Sequence, residues 1–211
     1  MVIQLLVKKQ ARYIRDLQNP TDRNKATRNL RLTGYNRKGD YCPTQKLANK
    51  WVYLKDAPFK VSEQCCDVMK KRPFQKYGKE TGRKPYVGTM ACESELREKE
   101  WKKSGCNAFD SKKPQSKPLS FWTEQDILEY IVKYELEYAP VYGEIKQDEN
   151  GKWYTTGEKR TGCMFCMFGC HLEKEPNRFQ RMKETHPKQY DYCMNKLGLK
   201  EVLDYIGVTY E

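Results

Sequence analysis

Ser62-Glu63-Gln64-Cys65-Cys66 and, roughly a hundred residues later, Thr161-Gly162-Cys163-Met164-Phe165-Cys166 are the stretches on which the reading turns. The second is a Cys-x-x-Cys, which serves zinc knuckles, redox pairs and half-sites of iron clusters alike. The first is the sharper signal. Adjacent cysteines rarely pair with each other, because the eight-membered ring strains the peptide. Ser62 is a candidate N-cap that puts Cys65 and Cys66 in a first helical turn, where the helix dipole favours thiolate. Two thiolates from that turn and two from the Cys-x-x-Cys supply the four sulfur ligands of a four-iron, four-sulfur cluster. Zinc accepts the same four, although its sites more often use two spaced knuckles. The bland alternative keeps Cys65 and Cys66 as small buried residues. Cys170 is a neighbour or substitute ligand, whereas Cys42, Cys92, Cys106 and Cys193 read as buried structural thiols.

Working outward, 211 residues suit one domain that needs no disulfides to bury its core. Nine cysteines, an odd number, point to metal or redox chemistry in a reducing, cytoplasmic setting. No stretch approaches the ~20 apolar residues of a bilayer span, and residues 1–7 are too short for a signal-peptide core with its cleavage site. Forty Lys and Arg against 28 Asp and Glu give +12, which favours anionic partners such as nucleotides, phosphates or nucleic acid.

Residues 8–32 show helical spacing interrupted at Asn19-Pro20-Thr21-Asp22, after which Lys25, Arg28 and Arg31 fall on one face as a candidate anion groove. A short amphipathic piece is centred on Trp51, and 85–90 reads as a short buried strand. Residues 93–102 form a helix with a Glu95–Lys99 pair. Thr123 with Asp126 caps an amphipathic helix bearing Ile127, Ile131 and Tyr134. A turn falls at 148–151, and helices follow at 177–184 and 198–206. Arg160 precedes the Cys-x-x-Cys and is placed to offset thiolate charge. His171 and His186 have no catalytic companion at suitable spacing, so both read as loop residues.

The tandem cysteines followed by Cys-x-x-Cys resemble the cluster signature of the sulfonucleotide reductases, the adenylyl-sulfate and phosphoadenylyl-sulfate reductase family. The flanks agree in order: Asp56-Ala57-Pro58-Phe59, Lys79-Glu80-Thr81-Gly82-Arg83-Lys84-Pro85, Gly88-Thr89-Met90-Ala91-Cys92-Glu93-Ser94-Glu95-Leu96-Arg97, Pro118-Leu119-Ser120-Phe121-Trp122-Thr123 and Ala139-Pro140-Val141-Tyr142. The resemblance is nearest to a phage-associated and bacterial branch. It implies an α/β, helix-rich, partial adenine-nucleotide-hydrolase-like (PP-loop) fold over residues 1–211, a 4Fe-4S cluster on Cys65, Cys66, Cys163 and Cys166, and an oxidoreductase of sulfur metabolism. It also implies an adenine nucleotide or sulfonucleotide and an electron donor as partners, with Glu93, Ser94 and Arg97 near the substrate.

Two departures qualify the likeness. No Ser-Gly-Gly-Lys-Asp-Ser phosphate loop occurs, so the chain reads as an amino-terminally shortened member. No cysteine stands in its last residues, so reduction by the usual thiosulfonate route is not expected of this chain alone, and its catalytic residues stay open. Two other functions are carried forward. One is a sulfur-transfer component of DNA phosphorothioation, with nucleic acid as partner. The other is a non-catalytic, cluster-bearing partner of a separately encoded amino-terminal half.

Overall fold

A computed structural model describes residues 2–159 and 161–211 as a helix-rich α/β chain in two compact units. The first unit joins residues 1–72 to residues 163–211, and the second is residues 73–162. Arg160, expected to offset thiolate charge, lies outside the described residues.

In the first unit, β1 (Val2–Ile3) runs parallel to β2 (Lys60–Val61), with α1 (Lys8–Gln18) and α2 (Lys25–Thr33) in the crossover between them. Parallel neighbours need such a crossover, and each strand buries one of its two residues, Ile3 and Val61, while Val2 and Lys60 stay exposed. Helix α1 buries Ala11, Ile14 and Leu17 at the spacing of one helical face. The expected break is present, and Thr21 and Asn24 close it as a reciprocal cap. Trp51 lies in a 3-10 stretch, Asn49–Asp56. The carboxy-terminal helices α6 (Arg178–Thr185), α7 (Pro187–Asp191) and α8 (Leu199–Ile206) complete one apolar core with Phe179, Val202 and Leu203, all fully buried.

A polar side chain organises that core. Gln18 is buried, and its Nε2 donates to the carbonyls of Leu54 and Phe59, both at 2.9 Å. Its Oε1 accepts from Val61 N at 2.9 Å. Three backbone groups that arrive at or flank β2 are thereby bonded by one side chain; the Leu54 carbonyl also accepts from Ala57 N at 3.4 Å.

The second unit relies less on apolar burial. Among its described residues only Ala91 and Leu128 are fully buried hydrophobics. It contains α3 (Arg72–Thr81, from its second residue), α4 (Glu95–Ser104), the antiparallel pair β3 (Asn107–Ala108) and β4 (Gln115–Ser116), α5 (Glu124–Lys133), and the hairpin of β5 (Ile145–Gln147) and β6 (Trp153–Thr155). Thr123 and Asp126 cap α5 reciprocally, as expected. Ile127 and Ile131 are half-buried on α5, whereas Tyr134 is exposed at its carboxy-terminal cap. Gln125 exchanges two bonds with the backbone of Trp153, at 2.7 and 2.8 Å, and ties the hairpin to α5.

Two expectations are corrected. Residues 85–90 are not a buried strand: they make one bridge, Tyr86 to Ser116, and Tyr86 is 84% exposed. Val87 and Met90 are only half-buried. Of the four cysteines expected to be buried, Cys193 is, Cys42 and Cys106 are half-buried, and Cys92 is exposed.

Replacing Gln18 by Leu should lower unfolding free energy by about 2–4 kcal/mol, since the apolar side chain removes three bonds to buried backbone groups, the Val61 N–H and the Leu54 and Phe59 carbonyls. Urea denaturation checks this; a loss below about 0.5 kcal/mol would show that water replaces the side chain.

Candidate functional site

The tandem cysteines are delivered by β2. Ser62 N donates to the Ile3 carbonyl at 2.8 Å, continuing the parallel pairing one step past Val61. The buried Ser62 Oγ then accepts from Gln64 N at 3.1 Å, which turns the backbone into a helix beginning at Cys65. Both cysteines occupy its first turn, as the sequence predicted. The next residues, Asp67–Lys71, widen into a π-helical turn in which Arg72 N bonds the Asp67 carbonyl. Pro73 has no N–H to return to Met69, so the ordinary ladder is already broken there. An Arg72–Asp67 ion pair at 3.0 Å closes the turn.

The Cys-x-x-Cys is delivered by the other half of the unit. Cys166 N bonds the Cys163 carbonyl at 3.0 Å and forms a tight turn. Gly169, with φ of 73°, then donates its N–H to the Leu5 carbonyl at 3.0 Å. Met167 and Cys170 are buried beneath the loop, whereas Cys163 is exposed and Cys166 half-buried. Residues 3–5 thus accept one hydrogen bond from each cysteine-bearing segment.

All four thiols are free and share one electrostatic neighbourhood. The Cys65 thiol is pushed up by burial first, then by Cys66, Cys166 and Cys163, with Lys70 acting in the opposite sense. The four thiols are therefore near enough to feel one another's charge. Among the described residues, however, no three Cys, His, Asp or Glu side chains stand close enough to share a single metal ion.

Sequence reasoning did not find Arg178. Its Nη1 donates to the Cys166 carbonyl at 2.8 Å, and its Nε and Nη2 grip Glu173 as a fork. Glu173 also accepts from Arg178 N at 2.9 Å. Burial works against the guanidinium charge, but Glu173 outweighs it and raises the Arg178 pKa, with Cys166 and Cys170 adding to the effect. The arginine therefore holds the carbonyl face of the ligand loop and places a fixed positive charge beside it. The one hint in the sequence was a Glu and an Arg five positions apart just after the loop.

Cys170 is not available as a thiolate: burial raises its pKa to about 11, against an ordinary value near 9. His171 packs edge-on against Trp51, with centroids 5.0 Å apart, and burial together with Lys50 lowers its pKa. Arg31, a candidate with Lys25 and Arg28 for an anion groove or a plain charged surface, turns inward to Asp16 at 3.2 Å and covers the Tyr13 ring.

The expected substrate-side residues lie in the second unit at the start of α4. Ser94 Oγ accepts from Arg97 N at 3.4 Å, Glu93 accepts from Met90 N at 2.8 Å, and Arg97 pairs with Glu93. The three form one capped turn with the guanidinium part-exposed.

A family model for the phosphoadenosine phosphosulfate reductase domain matches residues 21–172. The chain belongs to that family. The matched span contains both cysteine pairs and the capped turn of α4, while β1 and Arg178 lie outside it. No curated protein and no solved structure matches the chain. Membership in the reductase family agrees with a helix-rich α/β chain, and no helix among the described residues is long and apolar enough to cross a membrane.

The raised thiols make a pH prediction. A group whose folded pKa lies above its unfolded value favours the folded state below the unfolded pKa and loses that advantage as pH climbs to the folded one. Cys170 and Cys193 both stand at about 11 against an ordinary 9. Unfolding free energy should therefore decline between pH 9 and 11, and Cys170→Ala with Cys193→Ala should flatten that decline. An equal slope in the double variant would assign it to other groups.

Proposed function

We propose that the chain is a 4Fe-4S protein of sulfur metabolism that binds an adenine nucleotide or sulfonucleotide. Family membership supports reductase-type chemistry on such a substrate. The observation that carries the cluster reading is that Cys65, Cys66, Cys163 and Cys166 share one electrostatic neighbourhood, their two distant segments being tied to the carbonyls of Ile3 and Leu5. Four soft thiolates suit iron–sulfur ligation. A lone tetrahedral zinc, with Zn–S near 2.3 Å, would need the sulfurs within about 4 Å of one another. Among the described residues no three such side chains stand close enough to share one ion, so the cluster reading rests on the donor type and on the family rather than on a formed site. The parallel β1–β2 crossover supports a nucleotide-hydrolase-like core of the PP-loop kind.

When bound, such a cluster supplies one-electron chemistry and a fixed charge tuned by its surroundings. The rest falls to the chain's own groups. Cys65 and Cys66 stand in the first turn of a helix, where the dipole favours anionic ligand sulfurs once metal is bound. Lys70 lowers the cost of gathering negative charge, and Arg178 fixes the loop through the Cys166 carbonyl. In the second unit Arg97, poised by Ser94 and Glu93, offers a guanidinium to a phosphate or sulfate.

Protein purified without oxygen should be brown and hold about four irons per chain. Cys65→Ser or Cys163→Ser should remove the colour, while Cys193→Ser should retain it. Stoichiometric zinc with no iron after anaerobic reconstitution would exclude the cluster. Arg178→Ala should lose iron to a chelator faster than the native chain, with Arg178→Lys in between; equal rates would leave the arginine with no part in holding the loop.

Calorimetric titration with adenylyl sulfate should give weak binding that Arg97→Ala reduces about tenfold or more, since one charge-assisted contact contributes about 1.5–3 kcal/mol. Tight binding indifferent to Arg97 would place the nucleotide elsewhere.

A further inference from the structure

The positive charge is not spread evenly. Residues 1–72 carry seventeen Lys and Arg against six Asp and Glu, residues 73–162 sixteen against fifteen, and residues 163–211 seven against seven. Nearly all of the +12 therefore belongs to the first third of the chain. Its few acids are mostly engaged: Asp16 by Arg31, Glu63 by Arg12 and Arg15, Asp56 by Lys55 and Asp67 by Arg72. Among the described residues the remaining cations of this segment make no ion pair.

Within this basic third, residues 34–46 form a small hairpin that the cluster reading does not use. Gly34 ends α2 with φ of 86°, and its carbonyl accepts from Cys42 N at 2.7 Å. Only glycine fits there, because a Cβ would meet the Tyr41 ring at 2.6 Å. Tyr35 and Tyr41 form a β-bridge across the hairpin, with ring centroids 5.2 Å apart. The rings are packed together yet stay 50% and 55% exposed. The tip is tied by one side chain: Asn36 Oδ1 accepts from Lys38 N at 2.8 Å and Asp40 N at 3.0 Å, while Nδ2 holds the Asp40 carboxylate at 2.9 Å. Asp40, the only acid in the hairpin, is thus turned to internal use. Arg37 and Lys38 project from the ordered tip, both exposed and without an ion pair among the described residues. Lys46 returns beside Gly34, and Leu47 N fixes the returning strand to the Arg31 carbonyl at 2.7 Å.

We propose that this hairpin is a contact for single-stranded nucleic acid, with Tyr35 and Tyr41 as stacking faces for bases and Arg37, Lys38 and Lys46 as phosphate contacts. Exposed aromatic faces set among unpaired cations are the arrangement that binds unstacked strands without regard to sequence. A duplex keeps its bases stacked and would leave the two rings without a role. A lipid surface is disfavoured by the tip, Asn36-Arg37-Lys38-Gly39-Asp40, which has no apolar side chain to insert. Because the hairpin binds its own tip together, little ordering is required on contact. The proposal stands apart from the cluster and nucleotide readings and shares no residue with them.

The test uses the full chain, with fluorescence anisotropy of a labelled oligothymidylate, a duplex of equal length, and vesicles containing phosphatidylserine. The oligothymidylate should bind most tightly, and its affinity should fall as salt rises. Arg37→Gln with Lys38→Gln should weaken binding at low salt about tenfold or more and flatten the slope of log K against log salt by about 1.4, at roughly 0.7 per phosphate contact. Tyr35→Ala should weaken binding at least about fivefold while Tyr35→Phe keeps it. Lys188→Gln with Lys196→Gln, an equal charge loss in the balanced carboxy-terminal segment, should change affinity less than about twofold. The proposal is overturned if oligothymidylate does not bind at low salt, or if the Arg37 and Lys38 changes are silent. It is equally overturned if Tyr35→Ala matches Tyr35→Phe, or if duplex or vesicles bind more tightly than the single strand.

Discussion

The carbonyls of Ile3 and Leu5 are the constraint on which the first unit depends. Ile3 accepts from Ser62, three residues before the tandem cysteines, and Leu5 accepts from Gly169, three residues after the Cys-x-x-Cys. Two peptide groups two residues apart thus fix two segments that the sequence separates by roughly a hundred positions. The side chains of the same stretch, with Leu5 only 1% exposed, lock it into the apolar core. Hydrogen bonds of this kind each contribute about 1 kcal/mol net, but the penalty for leaving them unmade in a buried place is larger. The geometry is therefore enforced more by what a misplaced loop would leave unpaired than by what a correct one gains.

Gln18 extends the same principle. Its amide fills a gap in the backbone pairing around β2, where the 3-10 stretch before it and the strand itself leave two carbonyls and an N–H facing inward. Arg178 does the equivalent work on the outer side of the ligand loop, with Glu173 as its brace. A buried polar group with every bond satisfied specifies one arrangement, whereas apolar packing alone tolerates several. The second unit shows the contrast. With only two fully buried hydrophobics among its described residues, it is held by caps, turns and the Gln125–Trp153 exchange.

Local chemistry was legible in the sequence, and long-range chemistry much less so. The break at Asn19-Pro20, the Thr123–Asp126 cap and the helices after residue 176 follow from residues that act within four positions of one another. The four cysteines were recognisable because thiols in that pattern have few other uses. Strand β1 was missed since two residues beside an apolar run carry no period, and its partner lies far along the chain. Gln18 looked like one more polar residue near a helix end, and its role depends on three backbone groups that no spacing reveals. The supposed strand at 85–90 failed for the converse reason: its letters suit burial, but Tyr86 is left exposed and Val87 and Met90 only half-buried. Glu93, Ser94 and Arg97 do come together at one helix start, as their spacing implied.

The route by which Leu5 meets Gly169 has a bearing on synthesis. The two are about 160 positions apart, so a ribosome adding roughly 5–20 residues per second needs on the order of ten to thirty seconds to travel from one to the other. During that interval residues 73–162, which are continuous in sequence, can fold without waiting. The apolar stretch around Leu5 and Leu6 cannot be covered by the carboxy-terminal helices until those emerge. Contacts of such long range are slow to form and leave sticky surface uncovered in the meantime. The segment that gathers the two cysteine pairs is thus also the nascent chain's longest-lived exposed apolar stretch, and a chaperone that binds short hydrophobic segments has its natural target there.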